Sequence, residues 1–453
     1  MFARATLVLL LAAAKLSWPQ VEPGATGGAA TPDNDTQMMT PPPVSGVAYP
    51  TTVGSEERSN YLSAGVVVSG AYVNNVFPEE QVSVSPGSTA SPVNDGTFSI
   101  LPAFMLSRST PRQQTTLSYS PSFLIYDHTT ALDTIDQGSA LTYVYRLSQQ
   151  VSVSLGDTFF RSSNVFDQSY TFSSGGITGS TQTPGATVLA PFAELMSNIV
   201  HGLVSYQFGR DGMVGAGGSF STFDYPNPSD SAGLSNSNTS GATAFYDRRL
   251  SRSQYLGLGY QYGRTTSSGV GEQTTTDTNS LLPFYTLYFS RTASFSISAG
   301  IEHTSVQQVQ SRASQSWSPE TEISMGWQSS RANLAAYYSY SVTSGGGLVG
   351  AFTSNSAGVS AGYKLTRSWS VALSASYVNS NTVSPQIISY GEGGNTASGQ
   401  VSLSRMFGER IGVGFGYERL HEDFSGIKVI SENPDSYEEY ARFTYQFRKA
   451  LGR

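Results

Sequence analysis

The chain contains no cysteine among its 453 residues. This absence excludes a disulfide framework, a thiol nucleophile, a thiolate metal site and the lipid-modified cysteine of a bacterial lipoprotein. Charged residues are also scarce, at 13% of the chain, and the formal net charge is -7. Because phosphate binding needs a basic surface, we expect no nucleic-acid partner.

Long hydrophobic runs are missing as well. A membrane-spanning helix needs about 20 apolar residues, and no stretch beyond the N-terminus approaches that length. The apolar run 5–14 follows Arg4 and is typical of a secretory signal, although it is too short to cross a bilayer. We assign residues 1–19 to a signal peptide with an undefined cleavage site. Any membrane-spanning part must then consist of strands.

What the chain does contain is typical of strands and turns. Aromatic residues make up 12% of it, and it has 46 glycines and 26 tyrosines. The mean hydropathy is only -0.19, as in many soluble proteins. In a membrane barrel, however, lipid-facing and lumen-facing residues alternate along each strand and cancel in such an average.

One short phrase recurs about every 40 residues, which indicates a repeating structural unit. Each copy begins with an aromatic residue, leucine or methionine and ends with an arginine, just before a new alternating strand begins. The copies are residues 206–210, 250–252, 288–291, 327–331, 363–367 and 406–410. This pattern predicts a tight turn after every second strand.

Between these turns, apolar residues occupy alternate positions, which predicts strands with one apolar face. The predicted strands are 60–74, 97–108, 113–127, 136–148, 150–162, 198–208, 212–224, 241–250, 253–265, 279–290, 293–304, 316–328, 331–343, 355–366, 368–380, 396–407, 409–421 and 437–448. The sequence therefore predicts an all-β protein, a transmembrane antiparallel up-and-down β-barrel of about 18 strands.

Connections after odd-numbered strands are longer than the turns, as outer-membrane barrels require. The long connections are 75–96, 163–197, 225–240, 266–278 and 422–436. The connection 163–197 carries the apolar run 188–196 and is the candidate constriction of the lumen. The alternative is that this run only continues the sixth strand.

The predicted barrel covers residues 60–448. Before it, residues 20–59 are rich in Pro, Gly and Thr and are expected to form a disordered periplasmic linker. Whether this linker binds a partner stays open. Residues 449–453 form a short C-terminal tail.

Aromatic side chains cluster near the predicted strand ends, where two membrane interfaces would lie. The candidate girdle residues are Tyr145, Phe208, Phe289, Trp327, Tyr363, Trp369, Tyr377 and Tyr417.

The face opposite the apolar one consists mostly of Ser, Gly, Thr and Ala. The candidate lumen-facing charges are Arg146, Glu302, Glu322, Lys364 and Glu418. Small side chains do not fill a barrel of about 18 strands, so an aqueous channel is expected. Its sparse charge argues against strong ion selectivity.

The sequence shows no convincing catalytic, cofactor or metal motif. His128 follows Asp127 at the outer end of a predicted strand. A barrel-type protease would place acidic residues and a histidine there, but a polar loop explains this pair better. His421 precedes Glu422 and Asp423, which also fit a polar loop base. Gly412, Gly414 and Gly416 lie within a strand, so they do not form a phosphate-binding loop. We expect no enzyme activity.

The signal, the linker, the turn at 365–369 and the closing strand at 443–447 together resemble outer-membrane β-barrel porins, in particular those found with exopolysaccharide export systems. This resemblance implies an outer-membrane channel, passive or exporting, that contacts membrane lipids and a small polar solute or a polysaccharide. Homo-oligomerisation stays open. The chain departs from such families because residues 448–453 follow the terminal aromatic residue Phe447.

Three other interpretations remain. In the first, the barrel is a structural or surface-binding protein that acts through its outer loops. In the second, it is a barrel enzyme. The third is a soluble all-β fold such as a propeller, in which four strands rather than two fill a similar period.

Overall fold

The computed structural model describes residues 60–76, 93–110, 112–164, 166, 193–209, 211–226, 234–269, 272–290, 292–308, 313–343, 347, 349–383, 393–408, 410–424 and 434–451. The predicted signal peptide and the whole of the predicted linker lie outside the described residues. Within the described residues, no helix is long and apolar enough to cross a membrane.

Eighteen strands and a short 3-10 helix at Thr130–Leu132 make up the described structure. The strands are β1 (Tyr61–Val76), β2 (Val93–Ser109), β3 (Gln113–Tyr126), β4 (Thr134–Arg146), β5 (Val151–Ser162), β6 (Leu195–Phe208), β7 (Gly212–Asp224), β8 (Asn236–Arg249), β9 (Gln254–Gly269), β10 (Glu272–Ser290), β11 (Ala293–Gln308), β12 (Ser314–Gln328), β13 (Ala332–Thr343), β14 (Phe352–Lys364), β15 (Trp369–Thr382), β16 (Gly393–Phe407), β17 (Ile411–Phe424) and β18 (Asp435–Ala450).

Each strand pairs antiparallel with the next one in sequence, and the sheet closes on itself. The first and last strands form the closing seam, from Tyr61 opposite Ala450 to Val73 opposite Glu438. Closure leaves no free sheet edge at either end of the chain, as a bilayer requires. The predicted all-β, up-and-down barrel is confirmed.

The two faces of the barrel wall differ as the alternating pattern predicts. Large apolar side chains on the outer face are exposed, such as Leu373 (50%) and Phe415 (53%). Their neighbours on the inner face are small and polar, and several are buried, such as Ser402. An apolar exterior with a polar interior is the inverse of a soluble fold and suits a barrel surrounded by lipid.

All eighteen predicted strands are present, with ends that differ from the prediction by a few residues. The largest error is the predicted long connection 266–278. Residues up to Gly269 belong to β9, and β10 already begins at Glu272. The stretch is rich in threonine, a good strand former, so the hairpin continues beyond the apolar belt. The last strand continues to Ala450, into the predicted tail.

Candidate functional site: the lumen and its mouth

Hydroxyl side chains from neighbouring strands bond to each other across the inner wall. Six such pairs have oxygen–oxygen distances of 2.6 to 2.9 Å. The pairs are Ser152–Ser205, Thr239–Thr265, Thr286–Ser296, Ser339–Ser356, Ser370–Ser404 and Ser376–Ser398. Each hydroxyl is a donor and also an acceptor, so the wall offers neutral hydrogen-bonding groups to molecules in the lumen.

The five candidate lumen charges all lie on the inner face, where each is paired with an inner-wall residue of a neighbouring strand. Arg146 is opposite Ser152, and Lys364 is opposite Ser370; both are exposed at strand ends beside the short turns. Glu302 and Glu418 are buried, and Glu322 is half-buried opposite Ser298. Sequence reasoning overlooked further glutamates on the same face, among them Glu320 opposite Gly300 and Glu438 opposite Glu418.

Near the short turns, bulky side chains pack against the inner wall. Met213, Phe245 and Tyr255 form a buried cluster, and Leu203 and Tyr288 pack against it. The Phe245 ring lies over Gly215, and a Cβ atom at that position would collide with the ring, so a larger residue would have to displace it. The lumen is therefore narrower along β7 to β10 than its many small residues suggest.

At the opposite end of the barrel, β13 leaves the wall. Its pairing with β12 ends where Thr321 faces Tyr340, although β13 continues to Thr343. Beyond this point the Val342 backbone N–H donates to Oε2 of Glu302, an inner-wall residue of β11, at 2.9 Å. Val342 also packs against Val306 of β11 and Ala351. The outer end of the β13–β14 hairpin therefore bends into the lumen.

This hairpin brings Phe352 into an apolar cluster that crosses the mouth. Phe352 is fully buried. It belongs to the same cluster as Phe223 of β7, a strand that lies seven positions away from β14 in the sheet. The mouth cluster, as we name it, consists of Ala193, Leu195, Phe223, Tyr225, Leu234, Phe352 and Phe424. It closes part of the long-loop end of the barrel with apolar side chains.

A backbone hydrogen bond holds the tip of this hairpin in place. The Ser235 N–H, just before β8, donates to the Gly347 carbonyl at 2.7 Å. Gly347 has a φ of +112° and lies against the Tyr225 hydroxyl. Any other residue would be strained there and would displace Tyr225, so this glycine is required for the observed closure.

The predicted constriction at 163–197 lies largely outside the described residues. Of its apolar run, Ala193 and Leu195 belong to the mouth cluster, and Leu195 already lies in β6. Phe166, at the start of the connection, is buried against Val73, Val76 and Leu420. Its described ends thus pack at the mouth, whereas the contribution of the β13–β14 hairpin was not predicted.

The candidate girdle residues lie on the outer face, at the two ends of the apolar belt. Beside the short turns, the Arg405 guanidinium lies 5.3 Å from the Trp369 ring centroid and 4.7 Å from that of Phe407. Towards the long loops, Tyr437 is within 6.3 Å of Tyr72 and 6.1 Å of Tyr417. The exposed members are Phe208, Phe289, Trp327, Tyr363, Tyr377 and Tyr417, while Tyr145 and Trp369 are half-buried.

His128 is held by an acidic residue that the sequence did not reveal. Asp95 of β2 accepts hydrogen bonds from the backbone N–H groups of His128 and Thr129 and from the Thr129 hydroxyl. The His128 Nδ1 atom lies 3.0 Å from Asp95 Oδ1. This network fastens the β3–β4 loop to β2, so a structural role accounts for the histidine.

The other histidine pattern does not converge on one site. His421 lies on the outer face, 3.2 Å from Asp435, whereas Glu422 lies on the inner face and is buried. In the part of the chain that the structure describes, no group of three or more His, Asp or Glu side chains is arranged to hold a metal ion.

The fold and the lumen define the class of this protein. An even number of antiparallel strands, an apolar belt with aromatic borders and a polar interior are the architecture of bacterial outer-membrane barrels. The chain is an outer-membrane β-barrel with a porin-like interior.

No protein-family model matches the chain, and no curated protein sequence matches it. Among solved structures, it is similar to the ferric citrate transporter FecA in its unliganded form, with a TM-score of 0.42 and 12% identity over 81% of this chain. The chain spans about 60% of the length of that transporter.

Two proteins of Pseudomonas aeruginosa are also similar. OccK2 (OpdF), solved with glucuronate, gives a TM-score of 0.42 at 9% identity over 86% of this chain and 98% of its own. OpdK, solved with vanillate, gives 0.43 at 11% identity over 86% and 99%. Glucuronate and vanillate are the ligands of those two proteins, and similarities this low do not bear on the solute of this chain.

Proposed function

We propose that this barrel is a passive, porin-like channel for neutral polar solutes, with saccharides or an exopolysaccharide chain as the favoured class. The observation that carries this proposal is the ladder of paired serine and threonine hydroxyls on the inner wall. Sugars carry hydroxyls that both donate and accept, so they exchange hydrogen bonds with such a wall and with water at little cost.

The distribution of charge supports a neutral solute. The inner wall carries charged groups of both signs: Glu302 and Glu418 are buried, Arg442 lies opposite Gly414, and Arg146 and Lys364 are exposed at the strand ends. Strongly ion-selective pores instead use rings of like charge around a constriction. Transport is therefore diffusion through a wetted lumen, with no covalent step.

The mouth cluster sets a condition on this proposal. The apolar cluster excludes water and polar solutes from the part of the mouth that it closes, so full conduction requires the β13–β14 hairpin to move away from Phe223 and Phe424. We expect conductance in discrete steps between a lower and a higher level, rather than at one constant level.

The test is conductance of the purified barrel in planar bilayers, together with swelling of liposomes in a series of neutral saccharides. We expect stepwise conductance and swelling rates that fall with solute size. Folded barrel that stays electrically silent and gives no swelling with any sugar would refute the channel.

A second function is favoured by the closed mouth itself. If the mouth cluster never opens, the barrel is a structural or surface-binding protein that acts through its outer loops. Deletion would then alter adhesion or envelope integrity and leave solute uptake unchanged.

A further inference from the structure

The wall of the barrel has a break between β12 and β13. Residues 314–320 of β12 stay paired with β11, as far as Ser314 opposite Val306. Residues 341–343 of β13 pair with β14, as far as Thr343 opposite Phe352. Both stretches are described, and no residue of one stretch pairs with a residue of the other. Between residues 318–320 of β12 and 341–343 of β13, the described positions that continue this register, the two strands therefore form a seam without a backbone ladder.

A proline explains where the ladder stops. Continuing the register past Thr321 and Tyr340 would place Pro319 opposite Val342. Proline has no backbone N–H to donate to a ladder, so it weakens pairing at that position. The Val342 N–H donates to the Glu302 carboxylate instead. The local sequence thus favours an unpaired seam over a continued ladder.

The seam lies at the level of the lipid that faces the long loops. Trp327 belongs to the girdle beside the short turns, and Pro319 is eight residues above it along β12. With a rise of about 3.4 Å per residue and a tilt of about 40°, Pro319 lies roughly 21 Å above that girdle, near the far edge of a belt about 25 Å tall. Trp317 is 69% exposed on the outer face there.

The two sides of the seam differ in chemistry. On the inner side, Glu302, Glu320 and Glu322 lie in neighbouring rows of the wall. The Ser318 hydroxyl is buried there without a hydrogen-bond partner among the described residues, and the Glu320 carboxyl group is buried beside the Ser280 hydroxyl of β10. On the outer side, Ile301 and Trp317 are exposed. A molecule in the seam would meet apolar groups outside and carboxylates inside.

We propose that this seam is a lateral portal between the lumen and the outer leaflet, used by single-chain amphiphiles that have an apolar tail and a cationic head. The tail stays among lipid and Trp317, while the head reaches Glu320 and Glu322. Unpaired backbone at membrane depth is tolerated where it lines a water-filled cavity, which the lumen provides. This route is separate from axial diffusion of neutral solutes.

A disulfide that closes the seam tests the portal. The chain has no native cysteine, so Ser318→Cys with Thr343→Cys, two facing positions of the interrupted ladder that leave Glu320 and Glu322 in place, gives a single engineered pair. The matched control is Ser376→Cys with Ser398→Cys, two inner-wall hydroxyls that already lie 2.6 Å apart on paired strands. Both pairs are studied in the full barrel in liposomes, oxidised and then reduced.

The probe is pyrene-labelled dodecyltrimethylammonium, whose permanent charge keeps its own flip-flop slow, with albumin trapped inside the liposomes as acceptor. We expect wild-type barrel to deliver the probe faster than protein-free liposomes. Oxidation of the seam pair should reduce delivery to the protein-free rate, reduction should restore it, and the control pair should leave it unchanged. Salt conductance, recorded on the same samples, reports the axial channel independently.

Equal delivery with the seam oxidised and reduced would overturn the portal, as would wild-type delivery no faster than that of empty liposomes. Should the disulfide fail to form, Pro319→Val restores the missing backbone donor and should also slow delivery. Delivery that persists in a barrel with no salt conductance would support the portal while refuting the axial channel.

Discussion

At the scale of single residues, Glu302 holds the β13–β14 hairpin in its place at the mouth. Its carboxylate accepts the Val342 N–H, which has left the β12 ladder, and it is only 1% exposed. A buried N–H without an acceptor costs about 1–3 kcal/mol. The closed position of the β13–β14 hairpin therefore depends on this one contact more than on any surface ion pair.

We expect Glu302→Ala to raise the open probability of the channel in planar bilayers by roughly five- to a hundredfold, the equivalent of that loss. Glu302→Gln keeps an oxygen acceptor and should change the open probability less. Glu322→Ala removes a neighbouring carboxylate of the inner wall and serves as the control. Identical open probabilities for Glu302→Ala and the wild type would show that the contact does not hold the hairpin.

His128 gives the β3–β4 loop a dependence on pH. The hydrogen bond to Asp95, and then the charge of Asp127, raise the pKa of His128 above its ordinary value of 6.5. A raised pKa means that protonation stabilises the attached loop. This stabilisation is fully present below pH 6.5 and is lost as the pH rises through the higher value.

NMR titration of the His128 ring should therefore give a midpoint above 6.5, and hydrogen exchange in the loop should accelerate above that midpoint. Asp95→Asn removes the main partner and should return the midpoint towards 6.5. A midpoint that is the same in both proteins would contradict this explanation.

At the scale of strands, each strand has one face that contacts lipid and one face that contacts water in the lumen. β15 shows this simply, because Trp369 and Tyr377 mark its two interfaces and Leu373 lies midway between them on the outer face. Ser374 is the next residue along and lies on the inner face, opposite Gln400. A charge should therefore destabilise the barrel at position 373 and be tolerated at position 374.

We expect Leu373→Arg to reduce the unfolding free energy by about 2–4 kcal/mol, the cost of arginine at the middle of the belt. Ser374→Arg should reduce it by much less, since its guanidinium reaches lumen water. Urea unfolding of both variants in lipid vesicles measures the difference. Equal losses would mean that the two faces of β15 do not differ in solvent.

The strands were predictable because their information is local. A period of two, aromatic ends and an arginine in each turn are visible in the sequence around Trp369 or Ile411. The girdle and the inner glutamates Glu302, Glu322 and Glu418 were predicted from the same alternation. The mistaken connection 266–278 shows the limit, since threonine-rich strands that leave the lipid lose the apolar alternation by which they are detected.

The mouth was not predictable for a different reason. Phe223, Phe352 and Phe424 are far apart in sequence and meet only when the ring of strands closes. Pro319 was visible in the sequence, but its effect depends on the partner strand that it faces. Asp95 likewise binds His128 across 33 positions of sequence.

At the scale of the whole molecule, the barrel combines a lipid-facing exterior, a hydroxyl-lined interior and a partly closed outer end. Axial transport and the lateral portal both rest on the claim that inner-wall residues contact water while their sequence neighbours contact hydrocarbon. Substituted-cysteine labelling tests this claim most directly, because the chain has no cysteine of its own.

Single cysteines along 370–376 of β15, in barrels reconstituted in lipid vesicles, would be exposed to a charged, water-soluble maleimide and to a lipid-soluble one. We expect the water-soluble reagent to label positions 370, 372, 374 and 376, and the lipid-soluble reagent to label 371, 373 and 375. Uniform labelling along the strand by either reagent would contradict the proposed barrel wall.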